Sequence, residues 1–204
     1  MNDSVKLKKF NFSNVKGLSS NQLKQHYQLY KGYVNKINEI WSILDSKTDF
    51  KNPNSTYSEI RSLKLGESYS LDGVKLHELY FENLGGHNNA PYGEIKTLID
   101  RDFGSYKNFI TRLKDVGLSM RGWAVLAIEP IDQRLHVFGQ DAHDVGAIWK
   151  SHPLLVLDVY EHAYMIDFGI DRKEYIDIFI DNIDWKVVNK RLRMFYKHHN
   201  HLDL

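Results

Sequence analysis

The stretch that most constrains the fold of this chain is LLVLDVYEHAYMID, residues 154–167. An apolar run typical of a β-strand leads directly into Asp158, Glu161 and His162. Three ionisable groups stand here within about one helical turn of an apolar strand. The fold therefore has to bring partners for them from elsewhere in the chain.

The N-terminal part of the chain has the pattern of helices. Residues 18–44 carry apolar side chains at helical spacing, and Ser19 or Ser20 can cap this segment. The polar segment 45–59 predicts a connecting loop. Residues 70–86 predict a second helix, which ends in a glycine pair. We expect the two helices to form an antiparallel hairpin.

The spacing of the apolar residues changes in the second half of the chain. Residues 92–118 predict two helical segments with a break near 102–105. Three β-strands are predicted next, over 122–130, 134–141 and 153–159. The chain then returns to helix over 171–183 and 184–200.

These elements predict an α+β fold. Residues 1–86 are expected to form an N-terminal antiparallel helical hairpin domain. Residues 87–204 are expected to form an α/β domain with a small three-stranded antiparallel sheet flanked by helices. A metal site is expected between the two domains.

Composition excludes several classes of function. The net charge of +1 provides no field that would attract nucleic acid or an anionic membrane, and no apolar run has the length of a membrane span. The chain has no cysteine, which excludes disulfides, thiolate metal sites, iron–sulfur clusters and a cysteine nucleophile. We expect a cytoplasmic protein without nucleic-acid or membrane partners, whose ten histidines are the natural ligands for a metal.

Four residues form a candidate metal-binding set. His26 lies in the first helix and His77 in the second, while Asp158 and His162 follow the third strand at a spacing of four. Three imidazoles and one carboxylate suit iron, manganese or zinc and leave room for a solvent ligand. Spacing alone does not establish the site, because a histidine on an amphipathic helix is more often a core residue.

The C-terminal sequence LDVYEHAYMIDFGIDRKEYIDIFIDNIDWKVVNKR resembles the signature of the iron/manganese superoxide dismutases, D-x-W-E-H-A-Y followed by Y-x-x-x-F…W-x-x-V-N. The segments LHELYFENL and GEIKTLIDRDFGSYKNF resemble earlier parts of the same family. The resemblance implies metal ligands at the same four positions and one iron or manganese ion per subunit. It also implies that Glu161, Trp123, Tyr160 and Tyr164 contact the metal ligands or lie at the dimer interface.

The function that the resemblance implies is antioxidant. A metal that cycles between +2 and +3 would convert superoxide to dioxygen and hydrogen peroxide. The implied partners are superoxide, or another small oxygen species, and a second subunit in a homodimer, with a tetramer as the alternative. Glu161 would bond the metal-ligating histidine of the second subunit. Two alternatives remain: a metal-dependent oxidase or peroxidase with a different substrate, and a non-catalytic metal-binding homologue.

The chain departs from the family pattern around the substrate entrance. Tyr30 stands where typical members have a second histidine, and Met165 stands where the motif has a second tyrosine. Tyr160 replaces the tryptophan before the glutamate. The gateway tyrosine is expected to be Tyr33, with Tyr30 as second choice, because Tyr33 lies seven residues after His26 and so nearly on the same helix face.

A further question is which side chain bonds the solvent on the metal. The iron-type pattern has a glutamine four residues before the second-helix ligand, but Gly73 stands there. Manganese-type members use a glutamine on the sheet, for which Gln140 is the candidate. Certain archaeal members use a histidine fifteen residues before the ligand aspartate, and His143 stands at that distance from Asp158. We favour His143 over Gln140.

Overall fold

The computed structural model describes residues 4–86 and 90–199. These residues form seven α-helices, one short 3₁₀-helix and three β-strands. The helices are α1 (Ser20–Ser46), α2 (Glu59–Glu82), α3 (Glu94–Phe103), α4 (Tyr106–Ser119), α5 (Met165–Phe168), α6 (Arg172–Asp181) and α7 (Trp185–His199). The strands are β1 (Trp123–Glu129), β2 (Arg134–Gln140) and β3 (His152–Asp158), and the 3₁₀-helix is Glu161–Ala163. The predicted α+β class is confirmed.

The two long N-terminal helices pack against each other, as the hairpin prediction required. Ser19 caps α1, since its hydroxyl accepts a hydrogen bond from Gln22 N at 3.0 Å. The second helix is longer than predicted, because it starts at Glu59 rather than at residue 70. Its N-cap is Ser58, whose side chain accepts from Arg61 N. The additional helical turns at the start of α2 are rich in polar residues, so apolar residues at helical spacing are few there.

The sheet has the strand order β2-β1-β3, with both pairings antiparallel. The register places Trp123 opposite Gln140 on one side and opposite Asp158 on the other. The end of the sheet at which β1 begins therefore gathers an indole, an amide and a carboxylate in one row.

Strand β3 lies at one edge of the sheet but is buried. Leu154, Leu155, Val156 and Leu157 are fully buried, because α2 and α7 both contact this strand. A strand covered in this way is apolar along its length rather than alternating. The continuous apolar run before Asp158 thus reflects burial on both faces.

The predicted helix break near residues 102–105 is confirmed. Gly104 ends α3 with φ = +78°, in the left-handed region that glycine adopts most readily. The next residue, Ser105, caps α4 by accepting from Asn108 N at 3.2 Å. Among the described residues, none of the helices has the length and apolar character needed to cross a bilayer.

Candidate metal centre

The four predicted ligand residues converge on one point. One ligand atom from each of His26, His77, Asp158 and His162 lies within 4.8 Å of the others. The Nε2 atoms of His26 and His162 lie 3.0 and 3.2 Å from Asp158 Oδ2. The Nε2 atom of His77 lies 3.8 Å from the same oxygen. The carboxylate is therefore the shared neighbour of three imidazoles.

Local structure around β3 positions the carboxylate. Tyr160 N donates to Asp158 Oδ1 at 3.0 Å, which turns Oδ2 toward the histidines. The Tyr175 hydroxyl on α6 donates to the main-chain oxygen of Asp158 at 2.7 Å. The 3₁₀-helix that follows the strand then brings His162 back toward the carboxylate. The strand end and the turn together explain the D-x-x-x-H spacing.

The protonation states suit metal binding. Burial lowers the pKa of His26 and lowers that of His77 well below its ordinary value, so both imidazoles are neutral near pH 7. Burial alone would raise the pKa of Asp158, but His162 and His26 outweigh it and hold this pKa well below its usual range. The centre therefore presents an ionised carboxylate at Asp158 and neutral imidazoles at His26 and His77.

The chemistry of the donor set fits iron or manganese. Because His77 Nδ1 donates to Gly73 O at 2.6 Å, its Nε2 atom carries a lone pair, and this buried atom has no hydrogen-bond partner. Buried polar atoms without a partner are rare in folded proteins. An ion bound by the four side chains would satisfy this nitrogen, and imidazole and carboxylate ligands suit iron and manganese.

His143 lies beside the centre, fully buried. Its ring centroid is 5.6 Å from that of His77. Trp123 Nε1 donates to His143 Nδ1 at 3.0 Å, which places the imidazole proton on Nε2. This buried Nε2 also has no partner. Burial lowers the pKa of His143 to about 4, so the ring is neutral near pH 7.

Gln140 is also buried, with 6% of its surface exposed. Its Oε1 atom has no hydrogen-bond partner. The side chain lines a cavity of about 700 Å³ bordered by α2, the sheet and the loop after β2. His143 borders the same cavity, and its ring contacts those of His77 and Trp123.

The two predicted gateway tyrosines have different surroundings. The Tyr33 ring lies 5.3 Å from the ring of His77 and 4.8 Å from that of His143. Tyr30 is fully buried; its hydroxyl donates to Glu78 Oε1 at 2.9 Å and accepts from Lys8 N at 3.0 Å. Tyr33 therefore packs on both imidazoles. The Tyr30 ring lies 6.5 Å from that of His77 only, and its hydroxyl is already engaged by Glu78 and Lys8.

The remaining predicted residues lie around His162. Tyr160 stacks on the His162 ring at 5.1 Å with an interplanar angle of 17°. The buried Tyr164 accepts a hydrogen bond from Arg172 Nε at 3.1 Å. The side chain of Glu161 is 62% exposed, and its nearest cation is Arg172 at 3.9 Å.

Two residues near the centre were not predicted from the sequence. Gln22 is fully buried; its Nε2 donates to His162 O at 2.6 Å and its Oε1 accepts from Ile166 N at 3.0 Å. These two hydrogen bonds connect α1 to the segment that carries His162. Tyr69 on α2 packs on His143 at 4.5 Å. The sequence feature that could have indicated Gln22 is its position four residues before His26, which puts both residues on the same face of α1.

Comparison with known proteins agrees with this geometry. Residues 91–191 match the protein-family model for the C-terminal domain of iron/manganese superoxide dismutases. An iron superoxide dismutase from Aquifex aeolicus is 41% identical over 188 residues, which cover 90% of this chain and 88% of that protein. A manganese superoxide dismutase from Haloarcula marismortui is 33% identical over 161 residues, or 78% of this chain and 77% of the relative. The chain belongs to the iron/manganese superoxide dismutase family.

Proposed function

We propose that this chain is a superoxide dismutase that converts superoxide to dioxygen and hydrogen peroxide. The observation that carries the proposal is the convergence of three imidazoles and one carboxylate from α1, α2 and the end of β3. Relatives named iron and manganese superoxide dismutases match most of the chain and support the same reaction. When bound, iron or manganese supplies the alternating one-electron reduction and oxidation of superoxide.

The proposed task of the four ligand residues is to hold one ion in a dry, preorganised place. The neutral imidazoles of His26 and His77 and the ionised carboxylate of Asp158 would all face the ion. Because the carboxylate is fixed by Tyr160 N and the His77 ring by Gly73 O, these two ligands keep their orientation without the ion.

We favour His143 as the partner of the solvent or small anion at the centre. Its Nε2 carries a proton, is buried and has no acceptor in the protein. A small oxygen ligand at the centre would supply that acceptor. Gln140 remains the alternative, since its buried Oε1 atom also has no hydrogen-bond partner.

Tyr33 is our proposed gateway residue. It packs on His77 and His143, and burial raises the pKa of its phenol, so the hydroxyl stays protonated at neutral pH. A protonated hydroxyl beside the centre can donate a proton to the peroxide product.

We further propose a homodimer in which Glu161 bonds His162 of the partner subunit. The exposed carboxylate of Glu161 stands next to the exposed apolar side chains of Met165 and Ile166. Because Nε2 of His162 is directed to Asp158, its Nδ1 is the nitrogen assigned to this contact. Such a bond would fix the imidazole tautomer from outside.

The domain division at residue 86 and a cytoplasmic location belong to the same proposal. Ligands on α1 and α2 belong to the first part, and Asp158 and His162 belong to the second, so the centre would join the two parts. The cytoplasmic location rests on the cysteine-free sequence, which forms no disulfide.

The decisive experiment is superoxide removal by pulse radiolysis, on protein loaded separately with iron and with manganese. We expect a second-order rate constant near the diffusional ceiling of about 10⁸–10⁹ M⁻¹s⁻¹ with one of the two metals. A full metal content with a rate no better than that of the free ion would overturn the proposal. Activity with one metal only would name the working ion.

A further inference from the structure

The buried side chain of Gln22 connects the two parts of the chain that carry the ligand residues. It lies on α1, one helical turn before His26, and is fully buried. Its Nε2 atom donates to His162 O at 2.6 Å, and its Oε1 atom accepts from Ile166 N at 3.0 Å. One amide therefore bonds two main-chain groups of the same short segment.

The amide of Gln22 stands where a helical main-chain hydrogen bond would otherwise form. Residues 161–163 form the 3₁₀-helix and residues 165–168 form α5. In one continuous α-helix, Ile166 N would donate to the carbonyl four residues earlier, which is His162 O. Instead, both groups bond the side chain of Gln22. Tyr164, between the two short helices, has φ = −145° and ψ = −20°, so the main chain is not helical there. The inserted amide thus separates the turn of His162 from α5.

The ring of His162 is confined less by packing than the rings of the other two histidines. Its side chain is 23% exposed, whereas those of His26 and His77 are 1% and 0% exposed. Its Nε2 atom nevertheless lies 3.2 Å from Asp158 Oδ2. A ligand is held precisely when packing or hydrogen bonds fix it. For His162, hydrogen bonds to its main chain therefore matter most.

We propose that Gln22 is a positioning residue: its amide keeps the turn of His162 apart from α5 and so directs the imidazole to Asp158 and the ion. This inference rests on the assignment of His162 as a metal ligand in the proposed function. Glutamine suits the task because its amide offers both a donor and an acceptor. A leucine at residue 22 would leave Ile166 N and His162 O to bond each other, which would extend α5 toward His162.

The first test uses metal-free protein, so that its result does not depend on metal binding or activity. NMR would compare wild type, Gln22→Leu and the control Asn189→Leu. Asn189 is also buried, and its amide bonds main-chain oxygens outside the ligand cluster. In Gln22→Leu, the ¹³Cα resonance of Tyr164 should move toward helical values and the ring resonances of His162 should shift. In Asn189→Leu, both should stay in place.

The second test measures the rate at which loaded protein releases its metal to a chelator. Gln22→Leu should release the metal about 10–100-fold faster, which is the usual effect of losing a group that orients a ligand. Asn189→Leu should lose stability in urea without a change in this rate, which separates ligand positioning from stability. Gln22→Met keeps the length of the side chain without its amide and should behave like Gln22→Leu; it replaces that variant if leucine prevents folding.

Two outcomes overturn the inference: unmoved resonances of Tyr164 and His162, or metal release no faster in the Gln22 variants than in Asn189→Leu. Either result in a wild type that removes superoxide would overturn the role of Gln22 alone. Moved resonances and faster release, in a wild type that holds metal but does not remove superoxide, would overturn the proposed reaction and support the role of Gln22.

Discussion

The imidazole of His143 packs against the bare α-carbon of Gly73. A β-carbon at residue 73 would stand 3.1 Å from His143 Cδ2 and 3.1 Å from Tyr33 Cγ. The absent side chain on α2 is therefore what lets an imidazole and a phenol lie beside His77. Residues 73 and 143 form one packing arrangement, and substitutions at the two positions should be coupled rather than additive.

Alanine at Gly73 should damage the centre, whereas alanine at Gly32 should not. Both glycines lie inside helices, but a β-carbon at Gly32 meets nothing within 4 Å. Gly32→Ala should stabilise the protein by about 0.5–1 kcal/mol, because alanine favours helix. Gly73→Ala should be less stable than Gly32→Ala by about 1–3 kcal/mol and should remove superoxide more slowly, because His143 and Tyr33 must move. Urea unfolding and activity would check this, and equal stabilisation with full activity would contradict it.

Replacement of Asp158 or His77 by alanine should abolish stoichiometric metal binding. Each change removes one of four converging ligands and leaves the others unable to hold the ion alone. Metal analysis after dialysis, with circular dichroism as a check on folding, would measure the loss. His136→Ala is the matched control, since this exposed histidine pairs with Asp132 outside the cluster. A metal content as high as that of wild type would refute the ligand assignment.

His143→Ala should leave the metal bound but shift its redox potential and its pH behaviour. The reason is that His143 lies against His77 and holds a buried N–H without an acceptor in the protein. Loss of a residue that contacts the metal ligands typically lowers activity or metal affinity about 10–100-fold. Redox titration of both variants would decide between the candidates. If Gln140→Ala shifts the potential and His143→Ala does not, Gln140 is the solvent partner.

Glu161→Ala should weaken the proposed dimer. Removal of one partner from a buried, hydrogen-bonded charged contact costs about 2–5 kcal/mol, and the contact would occur twice in a symmetric dimer. Sedimentation velocity over a range of concentrations would show the change, together with a looser metal site. Glu39→Ala, which removes an exposed carboxylate paired with Lys36, serves as the control. A dimer of unchanged strength would remove Glu161 from this role.

The stability of the metal-free protein should fall as pH falls from about 6.5 to about 4. In this window the unfolded chain protonates His143, whose ordinary pKa is about 6.5, while burial keeps the folded pKa near about 4. The unfolded state then binds more protons, so lower pH favours unfolding. His26 and His77 act in the same direction. Urea unfolding across this range should therefore show a shallower pH dependence for His143→Gln than for wild type, and identical slopes would contradict the assignment.

Local features of the fold were predictable because their causes lie within a few residues. The break between α3 and α4 follows from Gly104 and Ser105, which end one helix and cap the next. The three strands were predictable from short apolar runs separated by turn residues. The start of α2 was missed because residues 60–69 carry many polar groups, and only packing against α1 distinguishes this segment from a loop.

The sequence by itself determined the α+β class and the order of its elements, because helical and strand periods are local. It also indicated the candidate ligand set, but only through the family signature together with the D-x-x-x-H spacing. Only the tertiary structure decided which groups surround that set. Gln22 reaches His162 and Tyr69 reaches His143 across 140 and 74 positions of sequence. Such contacts depend on how each helix is rotated against the sheet. The packing of whole faces sets that rotation, and no short stretch of sequence records it.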